Sequence, residues 1–113
     1  MHEAGIAQNI IDISIDTAKK NSADKISLIA VRIGKMSAID EASLRFAFDA
    51  LKNDTIAKDA VLKYEEIPLK GKCLDCGSEE EFEGYFMSCP KCNSSKVTII
   101  SGNELEVSYI EVD

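Results

Sequence analysis

The sequence predicts a small α+β protein: a three-stranded antiparallel sheet with two helices packed on it, plus an inserted zinc-ribbon-like lobe. Three observations predict it. Two stretches carry apolar residues at helical spacing. Three short β-branched runs are bounded by turn residues. Two C-x-x-C units lie between the last two of those runs.

The first helix is read over residues 4–20. Ile6, Ile10, Ile13 and Thr17 form one stripe, with Ala7, Ile11 and Ala18 beside it, and Asp12, Asp16, Lys19 and Lys20 are free to face water. Asn21-Ser22-Ala23-Asp24 reads as a turn. Ile26 to Ile33 is a strand candidate ended by Gly34. Asp40 is placed to N-cap a second helix carrying Leu44, Ala47, Phe48 and Leu51, with Glu41 favourable in its first turn. Val61 to Ile67 is the next strand, stopped by Pro68. In the last, Glu104 to Val112, Leu105, Val107 and Tyr109 alternate with Glu106 and Ser108 as in a half-buried antiparallel strand. Loop-like borders at Pro68-Leu69-Lys70-Gly71 and Ser101-Gly102-Asn103 suggest two hinges around an insertion, carried at a hairpin tip if the flanking strands pair. The expected units are therefore 1–69 with 103–113, and 70–102. No repeats or low-complexity tracts stand out.

Cys73-Leu74-Asp75-Cys76 and Cys89-Pro90-Lys91-Cys92 are separated by twelve residues. Two residues between ligands let one tight turn aim both sulfurs at one ion, and two such turns complete a tetrahedral four-thiolate shell. Gly77 and Asn93 follow the two pairs, and both residue types tolerate left-handed backbone. Structural Zn2+ is the expected occupant. Two disulfides would suit a secreted chain, and a redox C-x-x-C would be single and open a helix. Iron in a rubredoxin-like site would use the same ligands. A closed shell leaves no position for hydrolytic chemistry.

The formal net charge is −7, and four thiolates around one dication would make it two units more negative. Such a balance disfavours nucleic acid as the main ligand and suits a cationic surface or a metal ion. Apolar runs are far shorter than the ~20 residues that cross a bilayer, and no leader-like segment opens the sequence, so a cytoplasmic protein is expected.

The single histidine, His2, stands beside the terminal amine. The Met1 amine, the His2 amide nitrogen and its imidazole Nδ1 can close fused chelate rings on one ion, with Glu3 as a further donor. A planar nitrogen set of this kind suits Ni(II) or Cu(II) better than Zn(II). The bland alternative is a frayed terminus.

Met1-His2-Glu3 is followed by Val31-Arg32-Ile33-Gly34-Lys35-Met36-Ser37 and Leu44-Arg45-Phe46-Ala47-Phe48. The double C-x-x-C comes next, then Glu104-Leu105-Glu106-Val107 with Ile110-Glu111. From residue 1 to about 112 this order resembles HypA, the hydrogenase nickel-incorporation factor family. The resemblance implies a nickel metallochaperone that delivers Ni2+ to the large subunit of [NiFe]-hydrogenase together with the GTPase HypB. Urease accessory proteins are further partners in some relatives. It implies His2 and Glu3 as nickel ligands, Asp40 as an acidic neighbour, and the four cysteines as zinc ligands. Some relatives carry a zinc-lobe histidine that can reach nickel; here the lobe has none. Two other classes compete. A zinc-ribbon interaction module would be indifferent to His2. An enzyme would need a nucleophile–base pair, phosphate loop or open Lewis-acid site, and the sequence offers none of them.

Overall fold

In the computed structural model, which describes residues 2–84 and 87–113, the elements follow the expected order closely. Helix α1 spans Glu3–Lys20 and strand β1 spans Ile26–Gly34. A 3-10 turn at Lys35–Ser37 then leads to α2, Glu41–Leu51. Strand β2 is Val61–Ile67, β3 is Lys70–Cys73 and β4 is Glu79–Glu81. Strand β5 is Val97–Ser101 and β6 is Leu105–Val112.

The principal sheet has the order β2-β1-β6. β6 runs antiparallel to β1, but β2 runs parallel to it, which corrects the all-antiparallel expectation. The physical reason lies in the connection. Parallel neighbours need a crossover, and α2 supplies it between β1 and β2. β2 and β6 therefore sit on opposite sides of β1, and the inserted segment is not at the tip of a hairpin. A second sheet, ordered β4-β3-β5 with both pairings antiparallel, forms the insertion.

Both helices cover one face of the principal sheet. The core joins Ile10 and Ile11 of α1, Ile29, Val31 and Ile33 of β1, and Leu44 and Phe48 of α2. The buried line of α1 is Ala7-Ile11-Ser14-Ala18 with Ile10, rather than the Ile6-Ile10-Ile13-Thr17 stripe. Ile13 is 54% exposed. Ser14 is tolerated inside because its hydroxyl donates to the Ile10 carbonyl at 2.7 Å. β6 also departs from simple alternation. One extra residue is accommodated where Ala30 pairs with Tyr109 and Val31 with Val107. Such a bulge resets which side chains point inward. Val107 and Ile110 pack on the core, while Tyr109 turns to the open face and its hydroxyl meets the Lys63 ammonium at 3.0 Å. On the same face Arg32 lies between Glu65, at 3.6 Å, and Glu106, at 3.2 Å.

The two sheets meet at a close backbone crossing. A Cβ on Gly34 would overlap the Gly102 carbonyl, and one on Gly102, whose φ is +112°, would lie 2.7 Å from the Leu69 Cα. Only glycine lets these strands approach so closely. The crossing is bonded as well as packed. The Met36 N–H donates to the Gly102 carbonyl at 2.8 Å, and the Ser101 hydroxyl to the Pro68 carbonyl at 2.9 Å. No helix among the described residues is long and apolar enough to cross a membrane.

Candidate metal centres

The four cysteines come together because two local turns repeat one design. The Cys73 N–H donates to the Ser78 carbonyl and the Gly77 N–H to the Cys73 carbonyl, at 2.8 and 2.9 Å. In the second turn Cys89 N–H donates to Ser94 O and Asn93 N–H to Cys89 O, at 2.9 and 2.7 Å. Gly77 and Asn93 both take the left-handed backbone expected of them, with φ of 76° and 63°. The repeat is thus C-x-x-C, then a left-handed residue, then serine. Ser78 and Ser94 were its overlooked signal in the sequence. The Ser94 hydroxyl also donates to the Asp75 carboxylate, tying the second turn to the first.

All four Sγ atoms lie within 4.8 Å of one another. Cys73 and Cys89 are buried, whereas Cys76 and Cys92 are exposed. The Cys76 N–H, 3.4 Å from the Cys73 sulfur, is the main reason that the Cys73 thiol is lowered to about 6. The Cys92 N–H does the same for Cys89, whose thiol is also lowered. At Cys92 a Ser94 N–H works downward, but the Cys73 thiol and partial desolvation by its neighbours outweigh it and push the group up to about 12. Cys76 is raised in the same manner, against a Ser78 N–H, by Cys89 and partial desolvation. Crowding four sulfurs favours thiolates only if a cation shares them. The cluster is a metal-binding site by its donor set.

Away from the cysteines in sequence, His2 occupies the N-cap of α1, with φ −87° and ψ 97°. It is exposed, and its carbonyl accepts the Ile6 N–H at 3.2 Å. The amides of His2 and Glu3 belong to the helix end, where N–H groups have no intrahelical acceptor. The Glu3 carboxylate accepts the Asp40 N–H at 3.1 Å. That bond, followed by the carboxylate's own backbone N–H, holds the Glu3 pKa below its ordinary value.

Asp40 stands at the N-cap of α2, as expected, but its side chain makes no bond to the helix backbone. It accepts the Ser43 hydroxyl at 2.7 Å instead. The structure therefore brings Glu3 and Asp40 together beside His2, across two elements far apart in sequence. The Met1 amine lies outside the described residues.

The residues before Asp40 are fixed from the insertion side. Met36 N–H bonds Gly102, the Ser37 hydroxyl donates to the Glu104 carbonyl at 3.1 Å, and Ala38 takes a left-handed turn with φ 53°. Beside His2 and Glu3 an open groove of about 450 Å3 runs along α2, lined by Ser43, Phe46, Ala47 and Leu51. Phe46 is 79% exposed. Sequence reading passed over Ser43 and gave Phe46 no separate role. The available signal was that Phe46 falls two residues from both Leu44 and Phe48, on the opposite side of the helix from the core stripe.

Similarity to known proteins extends along the whole chain. The family described as "Hydrogenase/urease nickel incorporation, metallochaperone, hypA" matches residues 1–112. A hydrogenase maturation factor HypA of Desulfatibacillum aliphaticivorans is 44% identical over 99% of this chain and 87% of its own length. The Aquifex aeolicus protein of the same name is 37% identical over 100% of this chain and 98% of its own. The solution structure of the Ni metallochaperone HypA from Helicobacter pylori superposes with a TM-score of 0.71 at 32% identity, covering 99% of this chain and 97% of that one. With this extent of similarity, the chain belongs to the HypA family of nickel-incorporation metallochaperones.

Proposed function

We propose that the chain carries Ni(II) on its N-terminus and delivers it to the large subunit of [NiFe]-hydrogenase during maturation, working with the GTPase HypB in the cytoplasm. The observation that supports this best is the Glu3–Asp40 bond, which anchors an otherwise exposed helix start beside His2. His2 offers an imidazole, and the amides of His2 and Glu3 can be deprotonated without breaking a helical hydrogen bond. Met1 nitrogen completes a planar nitrogen set, the geometry that favours nickel over zinc. Asp40, one hydrogen bond beyond Glu3, is a carboxylate within reach of the same region. An exposed, incomplete shell releases its ion readily by ligand exchange, as a donor requires.

The four cysteines hold Zn2+. A tetrahedral shell with Zn–S bonds near 2.3 Å has sulfur–sulfur edges of roughly 3.8 Å. The Cys73–Cys92 and Cys76–Cys89 sulfurs are each 3.5 Å apart, which suits such a shell. Residues 70–102 then act as a zinc domain and residues 1–69 with 103–113 as the nickel domain. The protein transports its cargo without transforming it, and four thiolates leave the zinc no open position. Urease accessory proteins are a second set of clients consistent with the family.

Metal content measured after exposure to nickel tests the assignment. Wild type should carry one zinc and one nickel, and His2→Ala zinc alone. Undiminished nickel in His2→Ala would overturn the nickel site.

A further inference from the structure

We infer that the groove beside His2 is the docking surface for the protein that accepts the nickel, with Phe46 as its apolar anchor and the surrounding carboxylates selecting a basic rim on the partner. The inference rests on the proposed nickel role of His2.

Cargo passed by ligand exchange must move directly from donor to acceptor ligands. The acceptor therefore has to cover the surface next to His2, and that surface is not featureless. Phe46 projects from α2 with most of its ring in water, on the side away from Leu44 and Phe48. Ala47 leaves the groove wall low beside it, and Leu51, also exposed, extends the apolar strip toward the end of α2. A large aromatic side chain facing solvent gives nothing to the fold of this chain, whereas burying one at an interface is among the strongest sources of binding energy. The apolar strip is continuous with the nickel-bearing terminus, because His2 and Phe46 line the same groove.

Charge restricts the occupant further. Glu3 and Asp40 lie at the His2 end of the groove, whereas Asp49, one turn along α2 from Phe46, is already offset by Lys52 at 3.3 Å. Arg45 does not offset Glu3 and Asp40, since its guanidinium is committed to Glu41 at 2.9 Å and to the Leu62 carbonyl at 2.9 Å. Among the described residues no ammonium or guanidinium lies within ion-pair distance of Asp40. With a net charge of −7 on the whole chain, a second copy would meet like charge here, and a basic-rimmed partner would be drawn in. The occupant is thus a surface with an apolar recess for Phe46, flanked by Lys or Arg, at the mouth of the acceptor's own nickel site.

The test is the kinetics of nickel transfer from the loaded chain to the purified nickel-free precursor of the hydrogenase large subunit. Wild type, Phe46→Ser and Phe46→Leu are compared at several acceptor concentrations, with nickel affinity and self-association measured on each donor alone. The substitutions touch an exposed position, so all three should fold and bind nickel equally. Phe46→Ser should raise the half-saturating acceptor concentration about tenfold or more. Its maximal rate at saturating acceptor should stay close to wild type, and Phe46→Leu should recover most of the loss. Raising ionic strength should weaken the wild-type encounter as well.

An unchanged half-saturation in Phe46→Ser overturns the surface while leaving the nickel role intact. Loss of nickel affinity in Phe46→Ser also overturns it, by making Phe46 part of the ion site. A wild-type dimer that Phe46→Ser dissociates, with transfer unaffected, assigns the groove to a second copy and overturns it too. A wild type that binds no nickel through His2 removes the proposed function and this surface together.

Discussion

The two sheets are held together by different means. The principal sheet buries isoleucines, leucines and Phe48 beneath two helices. The inserted sheet buries little beyond Cys73 and Cys89, and its longest strand, β5, leaves Ile99 and Ile100 exposed. Apolar burial stabilises the first, and only a metal can stabilise the second to a comparable degree. The contrast extends to the metals. Four cysteines on two braced turns would enclose their ion, whereas His2 stands at a helix end in water. One site suits a permanent resident and the other a passenger.

The sharpest way to break this contrast is to remove the resident. Cys73→Ser, or exhaustive chelation, should abolish zinc content and strip amide-exchange protection from residues 70–102. Structural zinc contributes on the order of 10 kcal/mol in small zinc-dependent folds, far more than any other single feature here. Protection in β1 and α2 should persist; its collapse would mean that the principal sheet also depends on the metal. Acid should act in the same direction, because protons compete for all four sulfurs, so zinc retained against a fixed chelator should fall as pH drops below neutral.

The reciprocal experiment is Phe48→Ala. Phe48 is almost fully buried, and its loss should cost about 3–5 kcal/mol in urea unfolding while zinc stoichiometry stays at one. Gly34→Ala attacks the crossing between the sheets. Its Cβ meets backbone rather than a flexible side chain, so roughly 3 kcal/mol or more of destabilisation is expected, with altered exchange at Met36 and Gly102. Arg32→Met should be the mildest. Its two ion pairs are exposed, and the urea midpoint should move by no more than about 1 kcal/mol equivalent.

The sequence revealed the elements better than their neighbours. Helical spacing, the stop at Pro68 and the Asp40 cap position located α1, α2, β1, β2 and β6 almost to the residue, because local chemistry determines them. Strand direction is not local. The β1-α2-β2 order carried the signal for a parallel pair, and alternation within β6 could not reveal the bulge opposite Ala30 and Val31. The cysteine cluster was readable from spacing alone, since tight turns aim both ligands of a pair. The terminus was harder. His2 and Glu3 stood out chemically, but only the folded chain shows the Asp40 N–H pointing at Glu3, or Phe46 sharing a groove with His2.

Because β2 and β6 flank β1 from opposite sides, the principal sheet is completed by a pairing between segments far apart in the chain. Arg32 and Glu106, partners across that seam, are 74 residues apart. The whole inserted segment must be spanned before the seam can form. Clipping Cys73-Cys76 to Cys89-Cys92 around zinc would take roughly a quarter out of that loop, a saving of about 0.3 kcal/mol in closure entropy. That amounts to less than twofold in the rate of closure. Zinc supply would thus leave the pace at which the principal sheet closes almost unchanged, and a chain short of zinc would still assemble the half that bears His2.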